Sequence, residues 1–381
     1  MPPQTPPDRS MTVTDLRIQK FAQILVDHST AVKPGDKVAI TASTAAETAV
    51  KALYELVLER GGYPHTLIDF AGENESFYAH ASDEQLDFVP LFHKMAFEEF
   101  DVLIKLRSEV NTRALTNVNA ARVARRGKAM SSLTRAQMER GAAGSLRWMS
   151  TLFPTPAYAM EADMGVAEYE DFFFRACHAD EDTPDPVAYW QGVKDEQQRI
   201  VDWINGHNQV TLKGPNVDLS LSMRGRTFIN CFGDKNLPDG EIFTGPVEES
   251  AQGWVRYTYP AVYQGRVVEG IELNFEAGQV VKAIALKNED LLLAMINSDA
   301  GARYIGEFAI GTNFGITRFT RNILLDEKIG GSFHMALGAG YPETGSKNKS
   351  AIHWDMICDL RQDSEIRVDG ELFYSNGKFV I

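Results

Sequence analysis

The sequence has few features of a secreted, membrane-spanning or nucleic-acid-binding protein. Its 381 residues include three scattered cysteines and no CxxC pair, so neither a disulfide framework nor a zinc knuckle is expected. No apolar run approaches the roughly 20 residues that a membrane-spanning helix needs. Acidic residues outnumber basic ones, 52 against 38, which gives a net charge of −14. This balance argues against nucleic acid or an anionic membrane surface as a partner, because both bind basic faces.

The chain is too long for one ordinary hydrophobic core, so two domains are expected. Residues 1–10 are rich in proline and lack the apolar segment of a signal peptide, which predicts a disordered tail on a cytoplasmic protein. A change of texture near residue 207 divides the remainder into an N-terminal domain, 11–207, and a C-terminal domain, 208–381.

The N-terminal domain alternates short apolar runs with longer helical stretches. Residues 37–41, 66–70 and 102–106 predict strands, and apolar residues recur at helical spacing over 45–58. A last helix is expected over about 187–205. Strand, helix and strand at this spacing predict an α/β domain, in which a parallel sheet is flanked by helices.

The C-terminal domain is rich in β-branched residues, with glycine and proline between its apolar runs. Several short strands at roughly ten-residue spacing favour a mostly antiparallel, partly barrel-like sheet. The segment 289–297 is the clear helix in this half. The domain is therefore expected to be of the α+β class.

Common cofactor motifs are absent. The sequence has no Walker A loop, no GxGxxG, no HExxH and no GxSxG. A nucleotide-binding function for the N-terminal domain would therefore rest on fold analogy alone, which is weak support.

A candidate metal-binding pair occurs near the C-terminus, where His353 and Asp355 are two residues apart. On a strand, such residues point to one face, and Trp354 and Met356 then point to the opposite, apolar side. An imidazole beside a carboxylate suits a divalent ion such as zinc, manganese or cobalt. Taken alone, the pair is also compatible with a surface histidine beside an aspartate.

Further potential ligands precede this pair. Glu327 and His334 lie on either side of a Gly330-Gly331 turn, and paired glycines allow the tight bend that lets such side chains converge. Tyr341 follows a glycine-containing loop in the same block.

Two more acids have distinctive neighbours. Glu307 is the single acid among apolar residues and glycines, where an ionised carboxylate is costly unless a cation or a donor compensates it. A partly exposed strand acid is the alternative. Glu241 follows a glycine and precedes a strand, and by itself reads as a solvated turn acid.

Four blocks together resemble the aminopeptidase T / aminopeptidase S family of metallo-aminopeptidases. The blocks occur in the family's order and span 238–248, 305–313, 326–342 and 352–356. The resemblance is strong over 208–381 and general over the first half. It implies a homodimeric enzyme that acts on peptide substrates.

The resemblance also implies the site residues. It makes the following side chains ligands of two divalent ions: Glu241, Glu307, His334, His353 and Asp355. Glu307 would bridge the ions, and Tyr341 matches the family's active-site tyrosine. Glu327 is a further candidate ligand, although its spacing to the histidine varies within the family. Asp239 stands where many relatives have glycine, which suggests an altered loop.

The expected reaction is hydrolysis of the N-terminal residue from peptides by a water that two metal ions activate. Zinc, cobalt, manganese and magnesium all suit such ligands. Glu241 is the expected general base, and Tyr341 is expected to donate a hydrogen bond to the developing oxyanion.

Two other functions remain open. One is a mononuclear Fe(II) ring-cleaving dioxygenase of the dihydroxypyridine type, which shares this architecture and uses a similar His, His, Asp set. The other is a catalytically silent structural dimer. The additional acids Glu241, Glu307 and Glu327 favour two ions over one.

Overall fold

The computed structural model describes residues 15–263 and 265–381, so the tail predicted over 1–10 lies outside the described residues. Within the described part of the chain, no helix combines the length and the apolar character needed to cross a membrane.

The N-terminal half is an alternation of strands and helices. Its elements are α1 (Leu16–Gln23), which continues into a π-helical turn (Ile24–Ser29), β1 (Lys37–Ser43), α2 (Glu47–Glu59), β2 (Tyr63–Asp69), α3 (Glu73–His80), α4 (Asp83–Asp87), α5 (Leu91–Glu99), β3 (Val102–Arg107), α6 (Ala120–Ala142), β4 (Arg147–Leu152), α7 (Pro156–Glu161), α8 (Val166–Ala176) and α9 (Pro186–Ile204).

The predicted parallel sheet with flanking helices is confirmed. Strands β2, β1, β3 and β4 lie side by side in parallel register. Helix α2 packs through Ala49, Leu53 and Val57, whose four-residue spacing aligns them on one face. Helix α9 is capped by Asp185, whose carboxylate accepts hydrogen bonds from the first-turn amides and so satisfies groups that would otherwise lack partners.

The C-terminal half consists mainly of short strands. Its elements are β5 (Gln209–Gly214), β6 (Val217–Ser222), β7 (Ile229–Cys231), β8 (Asn236–Leu237), β9 (Glu241–Thr244), β10 (Gln252–Arg256), β11 (Ala261–Tyr263), β12 (Arg266–Val268), β13 (Glu272–Glu276), β14 (Gln279–Ile284), α10 (Glu289–Ile296), β15 (Ile305–Gly311), α11 (Ile323–Asp326), β16 (Ser332–Gly338), β17 (His353–Asp359), β18 (Glu365–Val368), β19 (Glu371–Ser375) and β20 (Lys378–Phe379).

Two large antiparallel sheets and the two-stranded hairpin β11-β12 form most of this half, as the alternating pattern predicts. The larger sheet has the order β14-β13-β10-β6-β5-β18-β19-β20, and the smaller has the order β17-β16-β15-β9-β7. In β6, Val217, Leu219 and Leu221 are buried and alternate with more exposed residues. These residues share one apolar core with Phe308 and Phe333 of the smaller sheet.

The two halves are joined next to the start of β9. Strand β8 extends the N-terminal sheet by pairing in parallel with β4, and Thr151 donates a hydrogen bond of 2.6 Å to the carbonyl of Leu237. Conversely, Ile200 and Val201 at the end of α9 pack into the C-terminal core. The domain boundary near residue 207 stays a prediction.

Candidate metal centre

The smaller antiparallel sheet places five of the six predicted ligands, all except Glu327, on one face of four neighbouring strands. Glu241 of β9 lies opposite Gly311 of β15. Ala336 of β16 lies opposite Glu307 on one side and Asp355 on the other. Because side chains alternate along a strand, residues in these positions share a face.

Small residues separate the ligands on that face. His334 lies opposite Ala309, and His353 lies opposite Gly338. With Gly311 and Ala336, these small residues leave room above the sheet for the longer ligand side chains to converge. The other face of β17 contributes Trp354 and Met356 to the apolar core, as the alternation predicts.

A β-bulge sets the position of Glu307. The register between β15 and β16 shifts between Ile305 and Glu307, which leaves Gly306 as the extra residue. A Cβ at Gly306 would lie 2.3 Å from the carbonyl oxygen of Ala339, so the close approach of the two strands requires glycine here.

The first cluster of ligand atoms is deeply buried, and we call it the inner group: Glu241, Glu307 and His334. The Nε2 atom of His334 lies 3.5 Å from Oε2 of Glu241 and 3.4 Å from Oε1 of Glu307. The imidazole of His334 is only 1% exposed. The inner group is therefore shielded from solvent.

The second cluster shares Glu307 and is more open, and we call it the outer group: Glu307, His353 and Asp355. The Nε2 atom of His353 lies 3.2 Å from Oε2 of Glu307 and 3.5 Å from Oδ1 of Asp355. The side chain of His353 is 27% exposed. The two oxygens of Glu307 thus face different histidines, as a bridging carboxylate requires.

Glu327 lies beside both groups. It directly follows α11, and its carboxylate comes together with His334 and Asp355 in a third cluster of ligand atoms. Gly331, in the turn between Glu327 and β16, has a φ of +90°, a conformation that favours glycine. The paired-glycine turn thus brings this acid back to the sheet.

The charges of the cluster are strongly coupled. Burial disfavours ionisation of Glu307, but hydrogen bonds with His334 and His353 outweigh it and lower the pKa of Glu307 to about 2. Burial also disfavours charge on the imidazoles, yet Glu307 and the other acids raise the pKa of His334 to about 9 and that of His353 to about 10. The carboxylates and imidazoles of the cluster therefore stabilise each other's charged forms.

The other two acids are harder to ionise. Burial raises the pKa of Glu241 to about 8, despite the nearby charge of Lys328. Burial likewise raises the pKa of Asp355 to about 6, despite the charge of His353. A nearby cation would stabilise the ionised form of both acids.

The donor set fits divalent metal ions. Among the described residues, Oε2 of Glu241 and Oδ1 of Asp355 are buried without a hydrogen-bond partner, which is costly unless a cation satisfies them. The Nδ1 atom of His353 lies 2.7 Å from the carbonyl of Ala339. A hydrogen bond donated there leaves Nε2 free to coordinate. Imidazole nitrogens with carboxylate oxygens suit zinc, cobalt and manganese.

Two interpretations of single residues are wrong. Glu241 is not a solvated turn acid, and Glu307 is not a partly exposed strand acid, because each is only 5% exposed. The loop at Asp239 holds a buried carboxylate, which accepts a hydrogen bond of 2.7 Å from the amide of Gly233.

The seventh predicted site residue, Tyr341, lies at the edge of the cluster. Its ring centroid is 5.1 Å from that of His353 and 5.3 Å from that of Phe243. Burial raises the pKa of Tyr341, so its hydroxyl remains a hydrogen-bond donor at neutral pH. All seven predicted residues therefore belong to one region of the structure.

Sequence reasoning missed Lys328. Its side chain is 1% exposed, and its Nζ lies 2.9 Å from Oε1 of Glu241 and in contact with Glu327. The argument applied to Glu307 would not have found it, because Lys328 directly follows two acids and is not the single charge of its segment.

Gln197 of α9 was also missed, and no motif marks it. Its amide nitrogen lies 3.3 Å from the carbonyl oxygen of Glu241 and 2.8 Å from that of Cys231. It therefore links α9 to the strands that bear the site.

Comparison with known proteins identifies the family. Residues 14–379 match the model of the thermophilic metalloprotease family, M29. The chain belongs to this family of metallopeptidases. Aminopeptidase 2 of Geobacillus stearothermophilus is 25% identical over 93% of this chain and 93% of its own length.

Solved structures confirm the fold. Wild-type AmpT from Thermus thermophilus superposes with a TM-score of 0.82 at 23% identity, covering 96% of this chain and 99% of its own. A 2,5-dihydroxypyridine dioxygenase from Pseudomonas putida gives a TM-score of 0.54 at 14% identity, covering 96% of each chain. The architecture is therefore shared with an oxygenase, and the fold alone does not select the chemistry.

Proposed function

We propose that this protein is an aminopeptidase that removes the N-terminal residue of peptides with the help of two divalent metal ions. The observation that supports this most directly is the shared Glu307, whose two oxygens face the histidines of two different ligand groups. Membership of the metalloprotease family and the aminopeptidase relative agree with it.

The proposed ligands are the inner group, the outer group and Glu327. Ions bound there would polarise the scissile carbonyl and lower the pKa of a water towards neutrality. The histidines must be neutral to coordinate, so metal binding must displace their protons. Zinc, cobalt, manganese and magnesium remain the candidate ions.

Glu241 is proposed to act as a proton acceptor as well as a ligand. One of its oxygens is held by Lys328, while Oε2 faces His334 and has no hydrogen-bond partner among the described residues. As a carboxylate beside the ions, Glu241 can accept a proton from water and pass it on to the leaving amine.

Tyr341 is proposed to stabilise the oxyanion. Its hydroxyl keeps its proton, and its ring lies against His353, on the more exposed side of the cluster. A donor that is already in place at this position costs no reorganisation during the reaction.

The assignment is tested by comparing free and N-acetylated aminoacyl-nitroanilides as substrates of the cobalt- or zinc-loaded protein. We expect hydrolysis of the free substrates alone, and loss of that activity in Glu307→Gln. Glu371→Gln, an exposed acid of β19, serves as the matched control. Absence of hydrolysis with every free substrate, or equal hydrolysis of the blocked ones, would refute the proposal.

The homodimer, which the family resemblance implies, and the cytoplasmic location remain predictions.

A further inference from the structure

Lys328 is a buried cation inside the carboxylate cluster. Its ammonium group contacts Glu241 and Glu327 and lies 4.0 Å from Oδ1 of Asp239. Three carboxylates thus surround one lysine that is 1% exposed. A buried lysine is rare unless it is paired, so the position of this charge is a specific feature of the centre.

The lysine contacts a residue of the inner group directly and none of the outer group. It holds Oε1 of the inner-group residue Glu241, as well as the carboxylate of Glu327. Among the described residues, Glu307 and Asp355 form ion pairs with histidines only. The ammonium therefore lies on the inner side of the cluster.

Two physical effects follow for a metal ion. The ammonium occupies an oxygen of Glu241 that an ion would otherwise use, and its positive charge repels a cation bound nearby. Both effects weaken cation binding to the inner group and affect the outer group less. The outer group is also the more accessible one, because the side chain of His353 is 27% exposed and that of His334 is 1% exposed.

We propose that Lys328 makes the two metal positions unequal. The outer group takes up the first ion tightly, and the inner group takes up the second ion weakly, because that ion competes with the lysine for Glu241 and Glu327. Lys328 is thus a positioning residue that sets the metal concentration at which the centre becomes fully loaded. This inference rests on the two-ion assignment proposed above.

Lys328→Met tests the proposal, because methionine keeps a long side chain and removes the charge. Lys20→Met is the matched control: Lys20 is another buried lysine, which donates hydrogen bonds to the carbonyls of Asp180 and Thr183, far from the cluster along the chain. Metal-free protein is titrated with Co²⁺, and calorimetry and the visible absorption of bound cobalt measure each binding step.

We expect two steps in the wild-type protein whose dissociation constants differ at least ten-fold. In Lys328→Met the second step should tighten at least ten-fold, while Lys20→Met should match the wild type. Equal affinities in the wild type, or an unchanged or weaker second step in Lys328→Met, would overturn the proposal.

The outcomes separate this inference from the proposed function. Two equally tight ions in the wild type would leave the two-ion enzyme intact and remove the role of Lys328. One ion in the wild type at saturation and two in Lys328→Met would support the competition and refute the two-ion enzyme. One ion in both would overturn the inference.

A measurement on the wild-type protein covers the case in which Lys328→Met does not fold. Anomalous diffraction from crystals grown with less than one equivalent of cobalt should locate the ion at His353 and Asp355. An ion at Glu241 and His334 would overturn the proposal.

Discussion

The two halves of the molecule differ in whether they gather side chains that could bind a metal ion. The N-terminal half has a parallel sheet, and in such sheets ligands usually bind beyond the carboxyl ends of the strands. There Ser43, the last residue of β1, and Ser108, which follows β3, hydrogen-bond to each other. Within the described residues, every group of three or more metal-ligating side chains lies in the C-terminal half. The candidate metal centre therefore lies where the potential ligands cluster, and not at the usual ligand-binding position of a parallel sheet.

The largest effect on activity is expected from a substitution that fills the face of the smaller sheet on which the proposed ligands lie but leaves every ligand in place. In Ala336→Leu, a larger side chain would enter between Glu307 and Asp355 and displace the ions. We expect activity below about 0.1% of the wild type, because ions supply several kcal/mol of transition-state stabilisation. Metal content and hydrolysis measure this.

Ala39→Leu makes the same change in the parallel sheet, where Ala39 is also buried. Overpacking should cost each variant about 1–3 kcal/mol of stability, but Ala39→Leu should retain its metal. Equal loss of metal in both variants would contradict the claim that the smaller antiparallel sheet, and not the parallel sheet, carries the metal site.

A smaller effect is expected from Tyr341→Phe. Removing one oxyanion donor should lower kcat about 100-fold and leave metal content unchanged, because Tyr341 is not among the proposed ligands. Tyr304→Phe, a tyrosine that bonds to Gln279, is the control. Metal analysis and steady-state kinetics test this, and a loss of metal in Tyr341→Phe would contradict the assigned role.

Metal removal should lower the free energy of unfolding by an amount similar to the roughly 100-fold effect expected for Tyr341→Phe. An ion at 100 times its dissociation constant stabilises the folded state by about 2.7 kcal/mol. We therefore expect chelation to lower the melting temperature of the wild type and of Ala39→Leu alike, and to leave that of Ala336→Leu nearly unchanged. Calorimetry with and without chelator tests this, and equal shifts in all three proteins would contradict it.

The smallest effect is expected on the pH dependence of stability, through His178 in the N-terminal half. Burial lowers the pKa of His178 to about 4 in the folded protein. As the pH falls, this histidine therefore takes up a proton in the unfolded chain before it does so in the folded one. Stability should therefore decline from about pH 6.5 towards pH 4. His178→Asn cannot bind this proton and should reduce the decline by about 1 kcal/mol, after allowance for partial exposure. Asparagine suits the φ of +52° found there.

Denaturant unfolding of metal-free protein at pH 7 and pH 5 measures this effect. The same decline in the wild type and the variant would show that His178 does not contribute.

Much of the fold could be predicted because local patterns agree with it. Local sequence predicts α2 and α9 to within two residues of their observed ends. The contribution of β8 to the N-terminal sheet could not be predicted, because a two-residue strand leaves no periodic signal and depends on contacts between distant segments.

The site was predictable to the extent that it lies within contiguous blocks. His353 and Asp355 share a face because strands alternate, and this follows from two positions alone. The burial of Glu241 depends on its pairing with β15, 70 residues further along the chain. The contact of Lys328 with Glu241 is likewise long-range, so local sequence does not reveal its partner.

The central claim is that the carboxylate of Glu307 bridges two metal ions. The most direct test is the metal content of the wild type and of Glu307→Gln after equilibration with excess cobalt. The account predicts two ions per chain in the wild type and fewer in the variant, since both ligand groups share this carboxylate. One ion in the wild type at saturation, or two retained in Glu307→Gln, would contradict it.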